Sequence, residues 1–138
     1  IGILIENPSF VAEYTGLKNL EMLACIKNKI EIEDIRHAME QVGLDPGDKR
    51  TYKKYSLGMK QKLGIAAAFM EKPDIIILDE PINALDEAGA KQVHKILEEQ
   101  KKRGALIIIA CHDKEELEML SDEIIEIYEG RIVAGEKE

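Results

Sequence analysis

No tryptophan occurs in this chain of 138 residues, and only two phenylalanines and two cysteines do. Cys25 and Cys111 stand far apart, without the spacing of a metal knuckle or a disulfide framework. They read as reduced thiols of a cytosolic protein. No apolar run approaches the roughly 18–20 residues that a membrane-spanning helix needs, since the longest, such as residues 105–111, fall far short. The apolar opening Ile1-Gly2-Ile3-Leu4-Ile5 is likewise too short for the core of a signal segment. Positive charge is scarce: 19 Lys and Arg face 27 Asp and Glu, for a net charge of −8. Aromatic and basic residues do not interleave, so this balance argues against nucleic acid or an anionic lipid surface as a general partner. Repeats and low-complexity segments are absent. Missing too is any G-x-x-x-x-G-K-[ST] phosphate loop.

What is present describes a folded chain. Hydrophobic residues make up 45% and charged residues 33%, the balance of a soluble globular protein, and the length suits one domain with one core. Ile75-Ile76-Ile77-Leu78 places four branched aliphatics in a row. Without polar alternation, the run predicts a strand buried on both faces, as in a parallel sheet. It ends in Asp79-Glu80-Pro81. Carboxylates there lie past the carboxyl end of the strand, where open α/β sheets bind ligands. Strand alternation points the two side chains opposite ways, so one can hold a metal ion while the other orients a water. Pro81 has no N–H to continue the ladder. A second buried strand is expected at Leu106–Ala110, followed by Cys111-His112-Asp113, which sets His112 on the same sheet edge. Residues 1–5 read as a third short strand, stopped by Glu6-Asn7-Pro8.

From Thr15 the hydrophobic period changes from two to about 3.6. Leu17, Leu20, Leu23 and Ala24 share one face of a helix, and Ile32, Ile35, Met39 and Val42 form the stripe of a second, closed by Gly43. Asp45-Pro46-Gly47-Asp48 is turn chemistry. The basic run from Lys49 to Lys54 reads either as a solvated surface or as support for phosphate binding by the motif next to it, residues 55–59. Ser56 is placed to cap a helix over about 58–70, with Leu63, Ala66, Ala67 and Met70 inward. A helix N-terminus suits a phosphate, although most capped helices are structural only. Asp86 opens a helix to about Arg103, with Ala90, Val93, Ile96 and Leu97 inward and Gly104 ending it; an N-cap role alone would account for Asp86. His94 reads as a surface residue. A short helix over 115–120 and a terminal hairpin over 123–128 and 131–134 complete the chain, with a frayed acidic tail.

At these spacings the set resembles the ATP-binding subunit of ABC transporters over essentially the whole chain. Residues 75–80 are similar to the Walker B strand with its catalytic Glu, and 83–86 to the D-loop. Residues 55–59 are similar to the signature motif, and His112 to the switch histidine. The resemblance implies an α/β fold, a partial, mostly parallel P-loop-type sheet with an inserted helical subdomain. Its parts would be the Q-loop strand at 1–10, the helical subdomain ending in the signature helix at 11–72, and the C-terminal part of the ATPase core at 73–138. It also implies ATP and Mg²⁺, a transmembrane permease subunit and a second ATP-binding subunit as partners, and no nucleic acid. The place would be cytoplasmic, on the inner face of the membrane. Asp79, with Glu6 at the Q-loop position, would approach Mg²⁺, while Glu80 would orient or deprotonate the attacking water. His112 would contact the γ-phosphate. Ser56, Leu57, Gly58 and Met59 would close on the partner's nucleotide, with Asn83 and Asp86 in the D-loop beside it.

Three positions depart from the family pattern: Glu6 stands for Gln, Leu57 for the first Gly of the signature and Met59 for its Gln. The variant Ser56-Leu57-Gly58-Met59-Lys60-Gln61 resembles exporters of peptide antibiotics of the bacitracin-resistance type. The absent phosphate loop suggests an excised fragment whose missing part precedes Ile1 and which does not hydrolyse ATP by itself. Loss of the phosphate-loop strand would leave an edge beside Leu106–Ala110, closed by the C-terminal strand or by self-association. Two other readings remain open: an ABC-type ATPase acting on nucleic acid or in translation, and a non-catalytic docking module.

Overall fold

The computed structural model describes residues 1–5, 9–27 and 30–137. In chain order the elements are β1 (Gly2–Leu4), α1 (Gly16–Lys27), α2 (Ile32–Gln41), a 3₁₀ turn (Tyr52–Lys54), α3 (Leu57–Phe69), β2 (Ile75–Asp79), α4 (Glu87–Lys102), β3 (Leu106–Ala110), α5 (Lys114–Leu120), β4 (Glu123–Tyr128) and β5 (Arg131–Lys137). Three strands pair in parallel in the order β1-β2-β3, with Leu4 opposite Leu78 and Asp79 opposite Ala110. Parallel neighbours need a crossover, and α4 supplies it between β2 and β3.

The helices α1, α2 and α3 pack on one another, and α3 also lies against β1 and β2. Having neighbours on several sides, α3 is apolar nearly all round, with Leu63, Ile65, Ala66, Ala68 and Phe69 buried. Its approach to β1 is close: a Cβ on Gly2 would stand 1.7 Å from the Ala68 carbonyl oxygen. Helix α2 ends as the sequence predicts. The Gly43 N–H donates to the Glu40 carbonyl (2.9 Å) and the Leu44 N–H to the Met39 carbonyl (2.9 Å). This is a Schellman closure, with Leu44 and Met39 both buried at its apolar contact. Ser56 caps α3, its Oγ accepting from the Met59 N–H at 3.2 Å, and Asp86 caps α4, its Oδ1 accepting from the Gly89 N–H at 2.8 Å.

Several expectations need correcting. The central strand is not buried on both faces. Leu4, Ile76 and Leu78 are each about 1% exposed, whereas the opposite sheet face carries Ile3 at 51%, Leu106 at 56% and Ile108 at 49%. All the buried side chains of the sheet share one face, so β3 is half-buried at best. In the helices, Leu23 and Ile32 are exposed at the edges of their stripes, and Asn19 is buried instead. The Asn19 side chain accepts from the Val11 N–H (2.7 Å) and donates to the Val11 and Thr15 carbonyls (3.1 and 3.0 Å), which satisfies an irregular segment ahead of α1. Hydrophobic period cannot find such a residue. The C-terminal strand does not close the edge of β3, because β4 pairs with β5 alone in a separate two-stranded antiparallel sheet. The turn between them has positive φ at both Glu129 (46°) and Gly130 (76°), the backbone of a tight hairpin. That local pairing is reached at far less loop-closure cost than a return to β3. Strand β5 extends to Lys137, opposite Glu123, so the expected fraying does not begin at Gly135.

Candidate functional site

The carboxyl ends of β2 and β3 build the site. Asp79 is the last residue of β2, and the Glu80 N–H carries the ladder one step further by donating to the Ala110 carbonyl at 2.8 Å. There the backbone turns sharply: Glu80 has φ +48°. A left-handed conformation is costly for a residue with a side chain, about 1–3 kcal/mol, and persists where surrounding contacts hold it. Pro81 is buried and ends the strand, the Asn83 N–H closes the turn on the Glu80 carbonyl (3.2 Å), and Ala84 is again left-handed at φ +66°. Strand alternation therefore stops at Asp79. Asp79 and Glu80, expected to diverge, line the same cleft.

His112 meets Glu80 across the strand ends. Its N–H donates to Glu80 Oε1 at 3.1 Å, and its Nε2 lies 3.7 Å from the same oxygen. The imidazole is otherwise fully exposed. A cleft of about 1200 Å³ opens here, with Leu57, Asp79, Glu80, Asn83, Asp86 and His112 in its wall. Ser56, Gly58 and Met59 are not in that wall. The Ser56 hydroxyl caps α3 at the surface, Gly58 faces the Ala84 carbonyl, and Met59 packs against the core. Glu6 lies outside the described residues. The basic run is solvated: Lys49, Arg50, Lys53 and Lys54 are exposed. Arg50 pairs with Asp48, and that guanidinium holds the Asp48 carboxyl below its usual range.

The donor set bears on which ligand fits. Among the described residues no cluster of three ligating side chains could cage a metal, and no described residue bonds the Asp79 carboxylate. Mg²⁺ is commonly held by one or two carboxylates together with water and substrate phosphates, so a single half-buried Asp79 suits it better than a caged ion. Lys91 is the one Lys or Arg among the described residues lining the cleft, against carboxylates that include Asp113, Glu115 and Glu116. A wall of that sign repels a bare polyphosphate and favours a cation.

Two features escaped the sequence reading. Gln61, on α3, donates through Nε2 to the Glu80 and Pro81 carbonyls (2.9 and 3.0 Å); it stands between Lys60 and Lys62 and reads in the sequence as a surface residue. His94 is not a plain surface residue. It is half-buried in the cleft wall, and its Nε2 is buried without a hydrogen-bond partner among the described residues. Nearby, the Cys111 thiol donates to Glu116 Oε2 (3.0 Å), and burial together with that carboxylate pushes it up to about 12.

A parallel α/β layer carries paired carboxylates and a histidine at its carboxyl edge, and comparison with known proteins says to which class such a layer belongs here. The sequence model of the ABC transporter family matches residues 1–83, and the chain belongs to that family. YybJ of Bacillus subtilis (strain 168), an uncharacterized ABC transporter ATP-binding protein, is 45% identical over 137 residues, covering 99% of this chain and 63% of that protein. The bacitracin transport ATP-binding protein BcrA of Enterococcus faecalis is 40% identical over 134 residues, 96% of this chain and 44% of its own length. The lantibiotic transport ATP-binding protein SrtF of Streptococcus pyogenes is 40% identical over 133 residues, 96% of this chain and 58% of its own. A solved ATP binding subunit of an ABC transporter superposes with a TM-score of 0.89 at 27% identity, over 99% of this chain and 58% of that one. The fold is thus that of the ABC-type P-loop NTPases. The chain spans less than two thirds of the length of these relatives.

Proposed function

We propose that the full-length protein is the ATP-hydrolysing subunit of an ABC transporter and couples hydrolysis to export of a peptide antibiotic or a similar small substrate. The carrying observation is the convergence of Asp79, Glu80 and His112, from two strands, on one cleft. Relatives named for bacitracin and lantibiotic transport support the substrate class. In this reading residues 1–10 are the Q-loop strand and loop, 11–72 the helical subdomain, and 73–138 the C-terminal part of the ATPase core.

Each side chain has a task in that chemistry. Asp79 would hold Mg²⁺, which when bound neutralises charge on the β- and γ-phosphates. Glu80 accepts a proton from the attacking water as its oxygen bonds the γ-phosphorus and the bond to the bridging oxygen breaks, giving ADP and phosphate. Glu80 Oε1 is occupied by the His112 N–H, which leaves Oε2 for the water. The exposed imidazole of His112 is free to bond the γ-phosphate. Ser56, Leu57, Gly58 and Met59 form the end of α3 presented to the nucleotide of a second ATP-binding subunit, and Leu57 is 63% exposed there. Asn83 and Asp86 flank the same junction. A separate transmembrane permease would carry the substrate, with this subunit on its cytoplasmic face; relatives named as transport ATP-binding proteins support that partner. The net charge of −8 disfavours the rival role on nucleic acid.

Glu80→Gln in the full-length protein tests this reading. ATP binding should persist, turnover should fall roughly 10²–10⁴-fold, the usual worth of a positioned general base, and an ATP-bound dimer should accumulate. Near-normal hydrolysis would move the role away from Glu80.

A further inference from the structure

We infer that Gln61 is the positioning residue for the Glu80 carboxylate, and that through it the exposed N-terminal end of α3 and the hydrolytic carboxylate of the same subunit move as one body. The inference rests on the reading of Glu80 above. Glu80 sits in a left-handed conformation that its own side chain disfavours, so something must hold it. Its N–H is bound to the Ala110 carbonyl and its Oε1 to the His112 N–H, both from β3 and its end. Its carbonyl accepts from the Asn83 N–H of its own turn. Among the described residues Gln61 supplies the one hydrogen bond to Glu80 from the helical layer. It uses its amide nitrogen twice, on the Glu80 carbonyl at 2.9 Å and on the Pro81 carbonyl at 3.0 Å. A fork on two successive carbonyls fixes the rotation of the peptide between them, and with it the direction in which the Glu80 side chain leaves the backbone. The same helix touches the same loop a second time: a Cβ on Gly58 would stand 3.0 Å from the Ala84 carbonyl oxygen. Two contacts along one rigid helix, one of them beside Ser56, make a lever. A displacement of the α3 end by whatever docks on it is carried to Glu80 without passing through the sheet.

The test uses the full-length protein and ATP turnover. Gln61→Met keeps reach and volume and removes the donor. It should lower kcat about 10- to 100-fold, the cost of a misplacement of about 1 Å, with KM for ATP within about twofold of wild type. Gln61→Glu, which sets acceptors against two carbonyls, should be lower still. Added to Glu80→Gln, Gln61→Met should cause no further loss, because the group it positions is already gone. Should the Met variant not fold, Gln61→Asn, which draws the amide back from both carbonyls, gives the same reading. A folded variant with kcat within twofold of wild type overturns the inference, and so does a loss that multiplies fully with that of Glu80→Gln. If Glu80→Gln itself leaves turnover intact, the reading of Glu80 falls and takes this inference with it. If Glu80→Gln lowers turnover as expected and the Gln61 variants keep kcat within twofold of wild type, this inference alone falls.

Discussion

The chain up to Gln100 and the chain after it are built alike in sequence and differ in packing. Among the described residues every buried hydrophobic side chain, from Leu4 to Leu97, lies in the first part. After Gln100 no described residue is buried, although Leu106, Ile108, Ile125, Ile127 and Ile132 are as apolar as anything before them. The difference follows from what each kind of element needs. Helices α1, α2 and α4 hide a stripe and α3 is covered on several sides, and these helices with one sheet face close a core. Parallel strands have two faces and two edges to cover. Here one face of β1-β2-β3 is covered and the other is open.

Truncation of the core should separate the two parts most clearly. Leu63→Ala, at 0% exposure, should cost about 2–5 kcal/mol in denaturant unfolding. Ile108→Ala, at 49% exposure, should stay within about 0.5 kcal/mol in the same chain. A loss at Ile108 near that at Leu63 would mean that the open face is covered in solution and would break the comparison.

Capping sharpens it at smaller scale. Ser56 and Asp113 make the same kind of bond to the third residue of α3 and α5, at 3.2 Å each. Ser56→Ala should lower global stability by about 1 kcal/mol. Asp113→Ala should leave global unfolding unchanged and instead speed amide exchange in α5, a helix with no buried residue that opens locally. Equal shifts in global stability would argue against that division.

The smallest effect runs the other way. Cys25 is exposed although it belongs to the packed part, and Cys111 is half-buried in the loose one. Alkylation at pH 8 should modify Cys25 first, because the Cys111 thiol holds its proton to about pH 12. A folded-state pKa above the ordinary value of 9.0 contributes stability that is fully present below pH 9 and is lost as pH rises toward 12. Cys111→Ala should flatten that alkaline decline; an unchanged slope would assign it to other groups.

Much of this was legible without coordinates because it is local. Ser56 and Asp86 are caps wherever a helix follows within a turn, and Gly43 closes α2 through bonds that span six residues. An apolar run ending in Asp79 and Glu80, and another ending before His112, place those residues on one sheet edge as soon as the strands are parallel. The tertiary structure alone decided what depends on partners distant in sequence. Periodicity counts apolar side chains and cannot say which face of a strand another element covers, so Ile76 and Ile77 look alike in sequence and differ in burial. Nor could alternation foresee that Glu80 leaves the strand in a left-handed turn, since β3, the Asn83 turn and the Gln61 fork hold it there together. Gln61 and Glu80 are separated by a whole loop and strand, and only packing of α3 on β2 brings an amide that reads as a surface residue onto the carbonyl of the carboxylate at the centre of the site.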